Sequence, residues 1–141
     1  MESEKAIEKV ESLFNMGNSL SFDREKMSEA DGKLAEGYWS NADIPSYDKY
    51  PSPKSSSSAV PAEFVERVKR VQEAEGTEVT EFRGYSHCRI CGKEDNGLSE
   101  FAITRQDGVR VVWPEGLLHY YTEHSVMPSK EFYELINSLT V

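Results

Sequence analysis

Two short spacings constrain this chain more than anything else in it: Cys88-x2-Cys91, then 27 intervening residues, then His119-x4-His124. Two thiolates and two imidazoles at such pair spacings are the donor set that a tetrahedral Zn²⁺ takes in structural sites. Gly92 directly follows the second cysteine, and its backbone freedom suits the tight turn that aims both sulfurs at one ion. His119 falls in a helical stretch, and His124 lies about 140° further round an ideal helix. Both rings reach one ion only if the helix gives way near its end, and Ser125-Val126-Met127-Pro128 supplies breakers at that point. The same residues also allow blander arrangements: two buried thiols with unrelated histidines, a redox dithiol, or a ligand set in which His87 replaces one histidine. No thioredoxin-like βαβ pattern surrounds the cysteines. The expectation is one structural Zn²⁺ held by Cys88, Cys91, His119 and His124.

Four protein ligands close the tetrahedron and leave no position for an activated water, so catalysis at the metal is not expected. Glu123 precedes His124, but metalloprotease helices need His-Glu-x2-His or His-x2-Glu-His, and this stretch reads His-x3-Glu-His. Neither a nucleophile elbow nor a phosphate-binding glycine loop is present in the sequence. Asp95, Glu115 and Glu123 stand as isolated acids, which makes no carboxylate pair. No catalytic residue is assigned.

Charge narrows the partners. The chain has 141 residues and a formal net charge of −9. Residues 1–76 hold 15 acids and 10 bases, and the remainder holds 10 acids and 6 bases, so neither half hides a basic domain. A generic phosphate-backbone binder needs a Lys/Arg footprint to release counterions. No run of 18 apolar residues and no basic-apolar leader is seen, and two cysteines three residues apart make no disulfide framework. The cytoplasm is the expected compartment, with no membrane partner.

Taken in order, Ile7, Val10, Leu13 and Phe14 share a face over residues 4–16, predicting a helix stopped by Gly17. The pattern weakens over residues 18–33, where a helical turn or two is the most that spacing supports. Residues 38–51 bring together Tyr38, Trp39, Ile44, Tyr47 and Tyr50 among Pro and Asx residues. That composition predicts an irregular, ordered loop wrapped on the core. In it, Trp39, Tyr47 and Tyr50 are candidate anchors for a partner. The serine-rich run 52–58 reads as a flexible joint. Pro61 opens a predicted helix over 61–75 with Phe64, Val65, Val68 and Val71 inward. A strand over 77–85 follows. Two β-rich runs, 98–105 and 109–113, meet across Asp107-Gly108 and predict a hairpin. Helices are predicted from Trp113-Pro114-Glu115 to His124 and from Pro128 to Ile136.

Gly84-Tyr85-Ser86-x-Cys88-Arg89-x-Cys91-Gly92, Asn96-Gly97, Trp113-Pro114-Glu115-Gly116-Leu117-x-His119-Tyr120 and His124-x-Val126-x-Pro128 together resemble a group of small uncharacterised bacterial and phage proteins. The resemblance spans roughly residues 77–136. It implies a microbial or phage origin and supports the zinc ligands, while implying no activity. The expected fold is α+β: a small antiparallel sheet with a treble-clef-like zinc site, flanking helices and an N-terminal helical arm. Residues 1–58 would form the arm and aromatic loop, and 59–141 the zinc domain. The expected role is a non-enzymatic binding module for another protein, compatible with regulatory, antitoxin, immunity or phage host-takeover duty. The alternative is a nucleic-acid-binding regulator using Arg83, Arg89, Lys93, Arg105 and Arg110 as a local basic patch. A metal-dependent hydrolase would need an open coordination position.

Overall fold

The computed structural model describes residues 22–81, 87–92 and 97–140. The helix expected over 4–16 and the end of the strand expected over 77–85 lie outside the described residues. Within them the fold is α+β, with a five-stranded sheet in the order β1-β2-β5-β4-β3. The strands are β1 (Ser28–Ala30), β2 (Lys33–Ala35), β3 (Glu78–Glu81), β4 (Ser99–Thr104) and β5 (Arg110–Pro114). Three helices complete it: α1 (Ala62–Glu73), α2 (Leu117–His124) and α3 (Lys130–Ser138).

The expected antiparallel sheet is mixed instead, because β2 runs parallel to β5 while every other pairing is antiparallel. The difference arises from a hairpin where weak helix was expected. Asp31 and Gly32 both adopt positive φ, 54° and 78°, the conformation that a two-residue turn between twisted strands requires. That turn joins β1 to β2 and lays β2 along β5.

Alternation then sorts the side chains by face. Leu34 faces Val111 across β2–β5, and Phe101 and Ile103 face Trp113 and Val111 across β4–β5. These five enter the main core beneath the helices. Their neighbours Ala35, Ala102 and Val112 form a small apolar patch on the opposite face, against which Tyr38 and Tyr50 pack. The β4–β5 hairpin turns where expected: Gly108 has φ 85°, and its N–H donates to the Arg105 carbonyl at 2.9 Å. β3 is an edge strand exposed throughout.

Helix α1 buries Phe64, Val65, Val68 and Val71, one stripe of a 3.6-residue repeat. It packs on α2 and α3. Pro61 sits just outside the helix as its N-cap rather than at its first turn. α3 starts at a buried Ser129, whose hydroxyl accepts from the Phe132 N–H at 3.1 Å, an N-terminal cap. The start predicted for α2 moves. Trp113 and Pro114 remain in β5, since Trp113 pairs with Phe101, is fully buried and donates its indole N–H to Gln72 at 3.1 Å. A helix beginning there would have to give up that burial. The serine run is also tied down: the Ser56 N–H donates to the Ser125 carbonyl at 2.8 Å and Ser55 bridges to Val126.

One buried ion pair had no sequence signal. Glu36, just after β2, is fully buried and contacts Arg24 at 3.1 Å. Its second oxygen accepts the Ser129 N–H at 2.7 Å, and Arg24 also donates to the Met127 carbonyl at 3.2 Å. Sheet, N-terminal segment and α3 are thereby joined at one charged node.

Candidate metal centre and the adjoining groove

Cys88 and Cys91 come from a turn before β4, and His119 and His124 from α2. One donor atom from each lies within 4.8 Å of the others. An ideal tetrahedron with Zn–S and Zn–N bonds of ordinary length sets its ligand atoms roughly 3.3–3.8 Å apart. The Cys91 Sγ to His119 Nε2 separation of 3.4 Å falls in that range. The four side chains are close enough to hold a metal ion. His124 Nε2 is buried without a hydrogen-bond partner, an orphaned lone pair or proton that a bound ion would satisfy.

Local backbone explains the convergence. Gly92, with φ 76°, closes the cysteine turn by donating its N–H to the Cys88 carbonyl at 3.0 Å. The Ile90 N–H points at Cys88 Sγ, 3.4 Å away. At the other side, α2 persists through His124 rather than loosening before it. It stops in a left-handed Ser125, φ 51°, and the Val126 N–H returns to the Tyr120 carbonyl at 3.1 Å. This is a Schellman-type ending built on a serine instead of glycine. His124 is therefore the last helical residue, and its ring meets that of His119 at 5.0 Å between centroids.

Tyr120, between the two histidines, binds the halves together. Its hydroxyl oxygen accepts the Arg89 N–H at 2.8 Å and the hydroxyl is hydrogen-bonded to Cys88. Burial, only partly offset by the Arg89 N–H, pushes the Tyr120 phenol up to about 12, with the Cys88 sulfur adding to the shift. At Cys88, burial raises the thiol. The N–H groups of Cys91 and Ile90 and the side chains of Cys91 and Tyr120 outweigh it, and the thiol lies below its ordinary value. Lowering a thiol's pKa favours the thiolate that a metal needs.

Behind this centre the aromatic loop and the second face of the sheet enclose a groove of about 760 Å³. Its floor is Ala35 and Val112, small enough to leave room, and Tyr38, Tyr47 and Tyr50 wall it. His87, Arg89 and Tyr120 close the end nearest the cysteines. Tyr38 donates its hydroxyl to the Glu100 carboxylate; burial first, then Glu100, pushes the phenol well above its usual value. Glu100 and the groove carry no sequence signal, because neither alternation nor composition reveals a space left above Ala35 and Val112.

The remaining candidates scatter. Trp39 is buried against Tyr120 and beneath the Arg24 guanidinium, which lies 4.9 Å from its ring. Tyr47 and Tyr50 are half-buried. Arg89 lines the groove, whereas Arg105 is paired with Asp107 at 2.7 Å and Glu131 at 3.3 Å, and Arg110 with Glu78. Arg83 and Lys93 lie outside the described residues. Of the isolated acids, Glu115 accepts the Leu98 N–H at 2.9 Å, Glu123 is exposed, and Asp95 lies outside the described residues. His87 is not in the four-residue cluster. No described helix is long and apolar enough to cross a membrane.

The profile of a domain of unknown function (DUF7919) matches residues 50–137. That span is more than half of the chain, and the protein belongs to this family. No curated protein and no solved structure matches.

Proposed function

We propose that this member of the DUF7919 family is a non-enzymatic binding module for another protein, stabilised by one structural Zn²⁺ in a treble-clef-like site. The observation that carries the reading is the closed donor set: Cys88, Cys91, His119 and His124 meet within 4.8 Å. Two thiolates and two imidazoles favour Zn²⁺ over hard cations. Four protein ligands leave no coordination position for a substrate or a water. The order of elements, a cysteine turn, then the β4–β5 hairpin, then α2 with the remaining ligands, supports the treble-clef-like reading. Binding falls to the aromatic loop and its groove, set on the surface by a rigid sheet. The ion pairs of Arg105 and Arg110 and the net charge of −9 weigh against a nucleic-acid interface.

Elemental analysis of the purified chain is the test. One zinc per chain is expected, retained in His87→Ala and lost in Cys88→Ser and His124→Ala. Chelation should remove the cooperative thermal transition, since metal binding in small zinc domains contributes on the order of 10 kcal/mol to folding. A zinc-free chain that melts identically with and without chelator would refute the structural role.

A further inference from the structure

We infer that the groove between the aromatic loop and the sheet receives an arginine side chain from a basic partner protein, with Glu100 as its counter-ion. The inference rests on the binding-module reading above and names the chemistry of the partner.

Glu100 decides the charge. Alternation along β4 places it with Ala102 on the groove face, since Phe101 and Ile103 point into the core. Among the described residues its carboxylate accepts one hydrogen bond, from Tyr38, and no cation is paired with it. A half-buried carboxylate keeps unused acceptor sites and meets a guanidinium through two parallel N–H···O bonds.

The groove's own cations do not compete. Lys49 is held by Asp31 at 3.8 Å and lies over the Tyr50 ring at 5.5 Å. Arg89 turns its guanidinium back to the His87 carbonyl. Lys33 starts β2, one residue before the Leu34–Val111 pair, while Glu100 faces Pro114. By register these positions are separated by about four residues of β5, roughly 13 Å along the strand.

The tyrosines favour a planar cation. Their ring centroids stand 5.6 Å (Tyr38–Tyr50), 5.2 Å (Tyr47–Tyr50) and 6.5 Å (Tyr38–Tyr47) apart. A cation held between two faces would need up to about 6 Å to each centroid, so none fits between these rings; Tyr38 and Tyr50 stack at 30°, and Tyr47 stands edge-on to both at 90° and 87°. A guanidinium stacks flat on a single ring face while its edge addresses Glu100, which a tetrahedral ammonium does not. The net charge of −9 steers a basic partner towards it.

The test uses the zinc-loaded full chain and two probes of equal shape, N-acetyl-arginine methylamide and N-acetyl-citrulline methylamide, followed by amide chemical shifts. The arginine probe should shift the resonances of Tyr38, Tyr47 and Glu100 saturably, and the neutral citrulline probe should not. Glu100→Gln should weaken the arginine probe by about tenfold or more while zinc content and melting stay unchanged. Equal response to citrulline, an unaffected Glu100→Gln variant, or no response to arginine overturns the inference, and so does an oligothymidylate that shifts the same resonances. Zinc content of the same samples separates the two failures. A fully metallated chain that ignores arginine sinks only the groove assignment, and a chain without zinc sinks the structural-metal reading itself.

Discussion

Glu36→Ala is the sharpest perturbation of the fold available outside the metal centre. The carboxylate is fully buried and serves Arg24 at 3.1 and 3.5 Å and the Ser129 N–H at 2.7 Å. Removing it leaves a guanidinium that is four-fifths buried without a counter-charge, and a buried helix-capping N–H without an acceptor. Breaking one side of a buried pair costs about 3–5 kcal/mol, most of it the penalty on the stranded partner. With a urea m-value of about 2 kcal/mol/M, the midpoint should fall by roughly 1.5–2.5 M. Equilibrium urea unfolding of the zinc-loaded chain measures it. The double variant Arg24→Met/Glu36→Ala should lose clearly less than the two single changes added together, because no charge is then stranded. A midpoint shift below about 0.5 M for Glu36→Ala, or strict additivity, would refute the assignment of this pair as a structural node.

Gly97→Ala should cost on the order of 1–3 kcal/mol. Its φ is 88°, and a Cβ there would stand 2.7 to 2.9 Å from the Glu115 side chain, which caps the Leu98 N–H. Gly76→Ala, with nothing near the added carbon, should be close to neutral in the same melt. Tyr120 keeps its proton in the folded chain to about pH 12, against 10.0 for the free phenol. Between those values the unfolded chain binds fewer protons than the folded one, so stability present below pH 10 is lost as the pH rises through that window. Spectrophotometric titration should show Tyr38, Tyr120 and Tyr121 ionising only with alkaline unfolding; early, reversible ionisation of all seven tyrosines would contradict their burial. Tyr120→Phe removes the phenol that supports Cys88 and should weaken zinc binding by about 10–100-fold in a chelator competition with stoichiometry unchanged. An unaltered affinity would show that the hydroxyl only packs.

The elements that could be read from sequence were those whose signal is local and long enough. The stripe of Phe64, Val65, Val68 and Val71 gives α1, and Asp107-Gly108 between two β-rich runs gives the β4–β5 hairpin. Asp31-Gly32 carries the same turn chemistry and joins the β1–β2 hairpin. Its strands are three residues long, too short to show a period of two in the sequence. Trp113-Pro114 resembles a helix start, yet strand pairing with Phe101 and complete burial of the indole hold it in β5. Tertiary packing overrode the local signal there, as it also did for the serine run held against Ser125 and Val126.

At the site, what sequence exposed was chemistry and what it concealed was shape. Cysteines and histidines are scarce enough that their spacing alone brings Cys88, Cys91, His119 and His124 forward, and the fold draws the four together. Glu36 and Glu100 are two among many acids, and only burial or the neighbourhood distinguishes them. Glu36 is withdrawn completely and spent on Arg24, whereas Glu100 is kept at a groove wall with acceptor capacity in hand. Ala35 beneath the groove carries no chemistry at all, but a larger residue there would fill the space beside Tyr38 and Tyr50. A chain that buried apolar surface for stability alone would gain by filling it, at about 25 cal/mol per Å². Keeping that face small leaves the groove beside Tyr38 and Tyr50 open, which is the space the proposed arginine contact requires.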